Sequence, residues 1–148
     1  MDDLNQYSSQ QEQALNQALE AMYFGFKAMI AEPDKILHTL GLARVHHRIL
    51  FFIARNPHCS VGDLLQLLRA SKQYIHKPLR ALIEQGYVVT TPDEKDKRIK
   101  RLALSAKGSA LEAELSGRQR EHFQRVFDEV GVEAEMGWRK VMQALSKS

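Results

Sequence analysis

Apolar residues recur at intervals of three and four over residues 11–31, where Leu15, Leu19, Met22, Phe26, Met29 and Ile30 share one helical stripe. Pro33 has no backbone donor, so it is expected to end this helix and leave a separate short one over residues 34–39. A further helix is predicted over residues 43–55, with Val45, Ile49, Phe52 and Ile53 facing inward and Asn56-Pro57 as its stop. Ser60 and Asp63 have capping-box spacing: the hydroxyl accepts from a free backbone N–H and the acid answers toward the cap residue. They open a short helix carrying Leu64, Leu65, Leu67 and Leu68, and Ala70 makes the turn. Ser71 caps the next helix, residues 72–85, and Gly86 stands where a left-handed residue is wanted. Residues 87–91 are β-branched or aromatic and read as a strand. After a polar tip at 92–97, Leu102 and Leu104 put one face on a returning strand over 98–104. Ser105 caps a long helix over 106–130, and a last helix at 133–145 carries Trp138, Val141, Met142 and Leu145.

Three helices followed by a two-stranded ribbon make the winged helix-turn-helix arrangement. Its second helix enters the major groove by the N-terminal half, and its hairpin reaches a neighbouring groove. The predicted fold class is mainly α (α+β). A winged helix-turn-helix DNA-binding lobe with a two-stranded wing spans residues 42–104, flanked by N- and C-terminal dimerisation helices at 11–31 and 106–146. A chain of 148 residues is expected to form a single domain, 1–148, and 44% apolar with 26% charged residues is ordinary globular composition.

Charge adds a partner. Residues 69–101 hold nine Lys or Arg against four Asp or Glu, whereas the rest of the chain holds 12 against 14. A basic middle between acidic ends suits a polyanion and argues against a winged helix used only as a protein-interaction module. The single cysteine, Cys59, forbids an intrachain disulfide and points to a reducing compartment, so the expected location is cytoplasmic. Residues 1–13 have no apolar core of a signal peptide, and the longest apolar run, 49–54, is too short to span a bilayer, so no membrane partner is expected. No Gly-rich phosphate loop, zinc-ligand spacing or nucleophile elbow occurs, so an enzyme is not expected, nor is a cofactor. His46 and His47 are neighbours, about 100° apart on a helix, and neither has a second histidine four residues away, so no metal site is expected.

Several stretches resemble the multiple-antibiotic-resistance regulator (MarR) family of winged helix-turn-helix transcriptional regulators. Residues 42–53, LARVHHRILFFI, look like the helix that precedes the family's helix-turn-helix. Residues 60–68, Ser71-Lys-Gln73 and Leu82-Ile-Glu-Gln-Gly-Tyr-Val88 follow its helix-turn-helix and exit. Most specific is Asp93-Glu-Lys-Asp-Lys-Arg98, similar to the family's wing signature D-x-R-D-x-R, followed by Leu102-Ala-Leu-Ser-Ala-Lys-Gly108, like its L-x-L-T-x-x-G. Two departures stand out. Lys95 replaces the first arginine of the signature and lacks the planar fork. Pro78 falls inside the presumed recognition helix, where it is expected to kink or split it.

The reading that follows is a homodimer bound to a pseudo-palindromic operator in double-stranded DNA, with two recognition helices roughly 34 Å apart. Ser71, Lys72, Gln73, Tyr74, His76, Lys77 and Arg80 form the recognition set. Gln73 suits adenine, and Lys72, Lys77 and Arg80 suit guanine or phosphate; the plainer alternative is that most touch only phosphate or solvent. Arg98 is the expected minor-groove contact, a role the resemblance also implies. Lys95, Lys97, Lys100 and Arg101 add sequence-independent attraction, with free solvation as the alternative for each lysine. Asp93 and Asp96 are expected to shape the wing, Asp96 by pairing with a nearby arginine or capping the turn. The N-terminal stripe, Phe123, Val126 and Phe127, and the last helix are the expected dimer surface, as the resemblance also implies. The family further implies a repressor whose DNA affinity responds to a small aromatic ligand held between the dimerisation helices and the DNA-binding lobe. Cys59 does not lie where the family's peroxide-sensing cysteine sits, so redox sensing is not expected.

Overall fold

Nine elements account for most of the chain in a computed structural model that describes residues 8–148. In order they are α1 (Ser9–Thr39), α2 (Arg44–Arg55), β1 (Cys59–Ser60), α3 (Val61–Leu68), α4 (Lys72–Glu84), β2 (Val88–Pro92), β3 (Lys100–Leu104), α5 (Ala106–Val130) and α6 (Val132–Lys147). The first seven residues of the segment expected to lack a signal peptide lie outside the described residues.

The core sits where α2, α3, α4, the sheet and the start of α5 meet. Leu37, Ile49, Leu50, Ile53, Leu64, Ile75, Leu82, Leu102 and Leu115 are sealed there. Burial of this many aliphatic side chains, each stabilising by about 1.5–3 kcal/mol, holds the central lobe together without a disulfide.

The first helix corrects an expectation. It does not end at Pro33, and no separate helix covers 34–39; α1 runs unbroken to Thr39. The reason lies far away in the chain. Pro33 cannot donate to the Met29 carbonyl, and that oxygen accepts from the side-chain amide of Gln119 on α5 at 3.4 Å instead. The proline ring itself is buried, and Leu37 one turn later is locked in the core. The start also moves outward: Ser8 and Gln11 form a reciprocal capping box, so the helix begins at Ser9.

Farther along, α2 and α5 lie within a residue of their expected spans. The Ser60–Asp63 capping box is present, with both bonds at 3.0 Å. Ala70 was expected to make the α3–α4 turn; the residue before it, Arg69, takes the left-handed conformation there, with φ 51°. Gly86 adopts φ 83° just past α4, a conformation that side chains rarely take. Pro78 neither splits nor ends α4, which is continuous from Lys72 to Glu84; Ile75, Leu79 and Leu82 pin it to the core on both sides of the proline.

The sheet has three strands in the order β1-β3-β2, all antiparallel, where two were expected. The added strand is only Cys59–Ser60, paired with Leu102 and Arg101. The returning strand starts at Lys100, which leaves Arg98 and Ile99 in the wing turn.

α5 starts hard against the sheet. Its cap Ser105 donates its hydroxyl to the Gly86 carbonyl at 2.6 Å and accepts from the Gly108 N–H at 3.0 Å. Gly108 is buried, and a Cβ there would stand 2.0 Å from the Tyr87 carbonyl oxygen. From this crossing α5 leaves the lobe and packs on α1 and α6. The terminal helices keep a broad apolar surface uncovered: Leu19, Tyr23 and Phe24 of α1 and Val132, Met136 and Val141 of α6 are all more than half exposed. α6 has no buried residue at all. No helix among the described residues is long and apolar enough to cross a membrane.

Candidate nucleic-acid interface

The buried stripe of α4 decides which of its residues face outward. Ile75, Leu79 and Leu82 are in the core, so Lys72, Gln73, Tyr74, His76, Lys77 and Arg80 are all exposed along the opposite side. Ser71 is committed to the backbone, its hydroxyl accepting from the Tyr74 N–H at 3.2 Å. That cap fixes the first turn of the helix, from which side chains reach outward. Arg80, a turn and a half further on, pairs with Glu84 at 3.2 Å.

The wing is built by two aspartates with different tasks. Asp93 accepts the backbone N–H groups of Lys95 and Asp96 on one oxygen, at 3.1 and 3.0 Å, which folds the turn. Its other oxygen accepts from the Arg101 guanidinium at 2.9 Å. Asp96 accepts the Arg98 N–H at 3.1 Å and grips the Arg98 guanidinium through a two-pronged pair, both bonds at 3.0 Å. The Asp96 N–H holds the Asp93 carboxyl below the usual carboxylate range, and Arg101 adds to this. The Arg98 side chain does the same for Asp96, followed by the Arg98 N–H.

The two arginines of the wing therefore differ in place. Arg98 projects from the turn with 90% of its side chain exposed. Arg101 lies at the root, one-third exposed, between Asp93 and Asp63, with its guanidinium 3.7 Å from the latter and 3.5 Å from the His58 carbonyl. Through Arg101 the wing is tied to the cap of α3. Sequence reading grouped Arg101 with the DNA-attracting lysines, and missed that Asp63 serves both α3 and the wing. Lys95, Lys97 and Lys100 are exposed and make no ion pair among the described residues.

Other candidate chemistry is weak. Cys59 is buried, and that burial pushes its thiol upward, away from the reactive thiolate. No group of three or more His, Cys, Asp or Glu among the described residues is placed to hold a metal ion. A cleft of about 470 Å³ lies between the end of α1 and the start of α2, with Leu37 and Leu42 beside Asp34, Lys35, His38 and Arg44.

Residues 40–99 match the family model described as the MarR family. The HTH-type transcriptional regulator PetP of Rhodobacter capsulatus is 37% identical over 134 residues, which cover 90% of this chain and 81% of PetP. Among solved structures, Streptococcus pneumoniae FabT in complex with DNA superposes with a TM-score of 0.78 at 16% identity, covering 92% of this chain and 95% of FabT. NadR in complex with 4-hydroxyphenylacetate gives 0.69 at 21% identity, covering 86% of this chain and 90% of NadR.

Proposed function

Since this chain belongs to the MarR family of transcriptional regulators, we propose that it is a homodimeric repressor that binds a pseudo-palindromic operator and is released by a small aromatic ligand. The observation that carries DNA binding is the pairing of two outward-facing basic surfaces on rigid supports, with Lys95 and Lys97 unpaired among the described residues and Arg98 held by Asp96. The outer face of α4 presents Lys72, Gln73, Tyr74 and Lys77, and the wing presents Lys95, Lys97 and Arg98. The helix can read base edges in the major groove while the wing lies over the adjacent backbone and minor groove. FabT, a neighbour of the same fold, was solved on DNA, which supports the same docking here.

The test is titration of a duplex selected from random DNA, repeated across salt concentrations. If each protomer of a dimer neutralises three or more phosphates, log affinity should fall against log salt with a slope of about −5 or steeper. Failure to select any sequence, or affinity indifferent to salt, would instead favour a protein-interaction module.

Dimerisation follows from the uncovered apolar surface of α1 and α6, together with the Phe123, Phe127 and Trp138 cluster that joins α6 to α5. A second copy covers such a surface by two-fold symmetry. Sedimentation at micromolar concentration should return twice the chain mass; a monomer there contradicts the assignment.

For the ligand, the cleft between α1 and α2 is the supporting feature. Its volume of about 470 Å³ lies within the ~300–1,000 Å³ usual for small-molecule sites. Leu37 and Leu42 line it, and Lys35 is available to a carboxylate, whereas Arg44 already pairs with Asp34 at 3.5 Å. NadR, solved with 4-hydroxyphenylacetate, supports the aromatic class.

A further inference from the structure

A buried polar chain crosses the junction between α2 and α5, and the nucleic-acid interface uses none of it. His47 of α2 and Glu112 and Ser116 of α5 are 8%, 7% and 2% exposed. His47 Nε2 lies 3.0 Å from the Ser116 hydroxyl. Ser116 donates to Glu112 Oε2, and the same oxygen meets the Arg55 guanidinium at 3.1 Å. Arg55 is in turn stacked over the Phe51 ring, 3.9 Å from its centroid.

The direction of each bond can be read from proton counting. Ser116 has one hydroxyl proton and commits it to Glu112, so it can only accept from His47. His47 must therefore carry hydrogen on Nε2, which leaves Nδ1 as the site for another proton. The chain runs His47 to Ser116 to Glu112, with Arg55 closing it from the other end. It joins the helix that underlies the DNA-reading lobe to the helix that leaves it for α1 and α6.

We propose that His47, Ser116, Glu112 and Arg55 are positioning residues for operator binding, holding the lobe in register against α5, and that proton uptake at His47 Nδ1 releases this hold so that operator affinity falls in acid. The step moves one proton from solvent to Nδ1 and breaks no covalent bond. Burial holds the imidazole below its ordinary value of 6.5; Glu112 of α5 opposes this, Arg48 and Arg55 of α2 add to it, and Asp34 of α1 opposes. α3, α4 and β3, which also pack on α2, place no group among these.

Linkage then sets the sign. A packed junction binds the proton less tightly than a hydrated imidazole, so any arrangement that wets His47 gains as pH falls below 6.5. The Glu112 end of the chain borders open space: Glu112 also lines a cavity of about 190 Å³ with Pro57, Leu104 and Ser109.

The inference rests on the DNA-binding reading above, and the experiment separates the two. Operator affinity is measured at pH 7.5, 6.5 and 5.5 at fixed ionic strength for the wild type, His47→Gln and Ser116→Ala. Thermal midpoints without DNA are taken over the same range. Glutamine keeps a donor near the Nε2 position and does not titrate in this range. His46, whose Nδ1 accepts the Ala43 N–H at 2.9 Å, and exposed His76 are common to all three proteins and cancel in the comparison. Wild-type affinity should drop about fivefold or more beyond the drop in His47→Gln; one proton per subunit caps the difference at about tenfold per pH unit per subunit. The wild-type midpoint should likewise fall more steeply with acid. Parallel profiles in both measurements overturn the proposal. If His47→Gln does not melt cooperatively, Ser116→Ala decides: its acid loss should be smaller than the wild type's, and an equal loss overturns the proposal. If the wild type binds no DNA at pH 7.5, the functional reading fails, the proposed role in operator binding fails with it, and the midpoints alone judge the proton-sensitive junction.

Discussion

Gly108→Ala should lower the thermal midpoint by about 10 °C, the largest effect expected of any glycine-to-alanine change in this chain. The added Cβ would sit 2.0 Å from the Tyr87 carbonyl oxygen and 2.9 Å from its carbonyl carbon. Both are backbone atoms, so no side-chain rotation relieves the overlap. Tyr87 is itself held: its ring is buried, its N–H donates to Leu82, and its carbonyl accepts from the Ser105 N–H at 3.0 Å. The remaining escape is to lift the first turn of α5 off the sheet, which breaks the Ser105 cap. Overpacking of this kind costs about 3 kcal/mol, and a chain of this length loses roughly 2–4 °C per kcal/mol. Differential scanning calorimetry of the two proteins at equal concentration checks it. A shift below about 2 °C would mean that α5 approaches the sheet less closely than described.

Arg98→Ala should weaken operator binding about 100-fold with no change in thermal midpoint. The side chain is 90% exposed, and its one partner, Asp96, is equally part of the turn. Nothing in the core is lost. In a two-fold complex the loss counts twice, and about 1.4 kcal/mol per wing gives the stated factor. Arg98→Lys should recover little, because a lysine keeps the charge but not the planar fork that Asp96 orients. Fluorescence anisotropy on the selected duplex measures both variants. Unchanged affinity in Arg98→Ala would place the wing away from the groove, and a fallen midpoint would mean the turn needs the guanidinium.

How much of this was legible beforehand depended on how far apart the interacting residues lie. Ser105 and Ser71 declared their helices because a cap acts within three residues, and α5 was bounded as found. The Ser8–Gln11 spacing was equally local and would have placed the start of α1 correctly. Pro33 was misread because its remedy comes from Gln119, on a helix whose packing no local pattern describes. β1 has two residues, too few for alternation to register. In the wing, residue types announced an acid–arginine pairing, yet partner choice was open. Asp96 took Arg98, two residues on, while Asp93 reached across the hairpin to Arg101. His47, Glu112 and Ser116 looked like unrelated polar positions until α2 and α5 were laid side by side.

The division between a rooted Arg101 and an outward-projecting Arg98 has an evolutionary side. Arg101 is braced by Asp93 and Asp63, so its replacement disturbs the hairpin and the cap of α3 together. Lys95, Lys97 and Arg98 touch no part of the core. The residues proposed to meet DNA and the residues that brace the turn thus occupy separate positions within a single hairpin. On the proposed reading, a duplicated copy of this gene could vary its wing tip without disturbing the contacts that brace the hairpin. Change at the root, by contrast, would have to replace the contacts of Arg101 with Asp93 and Asp63.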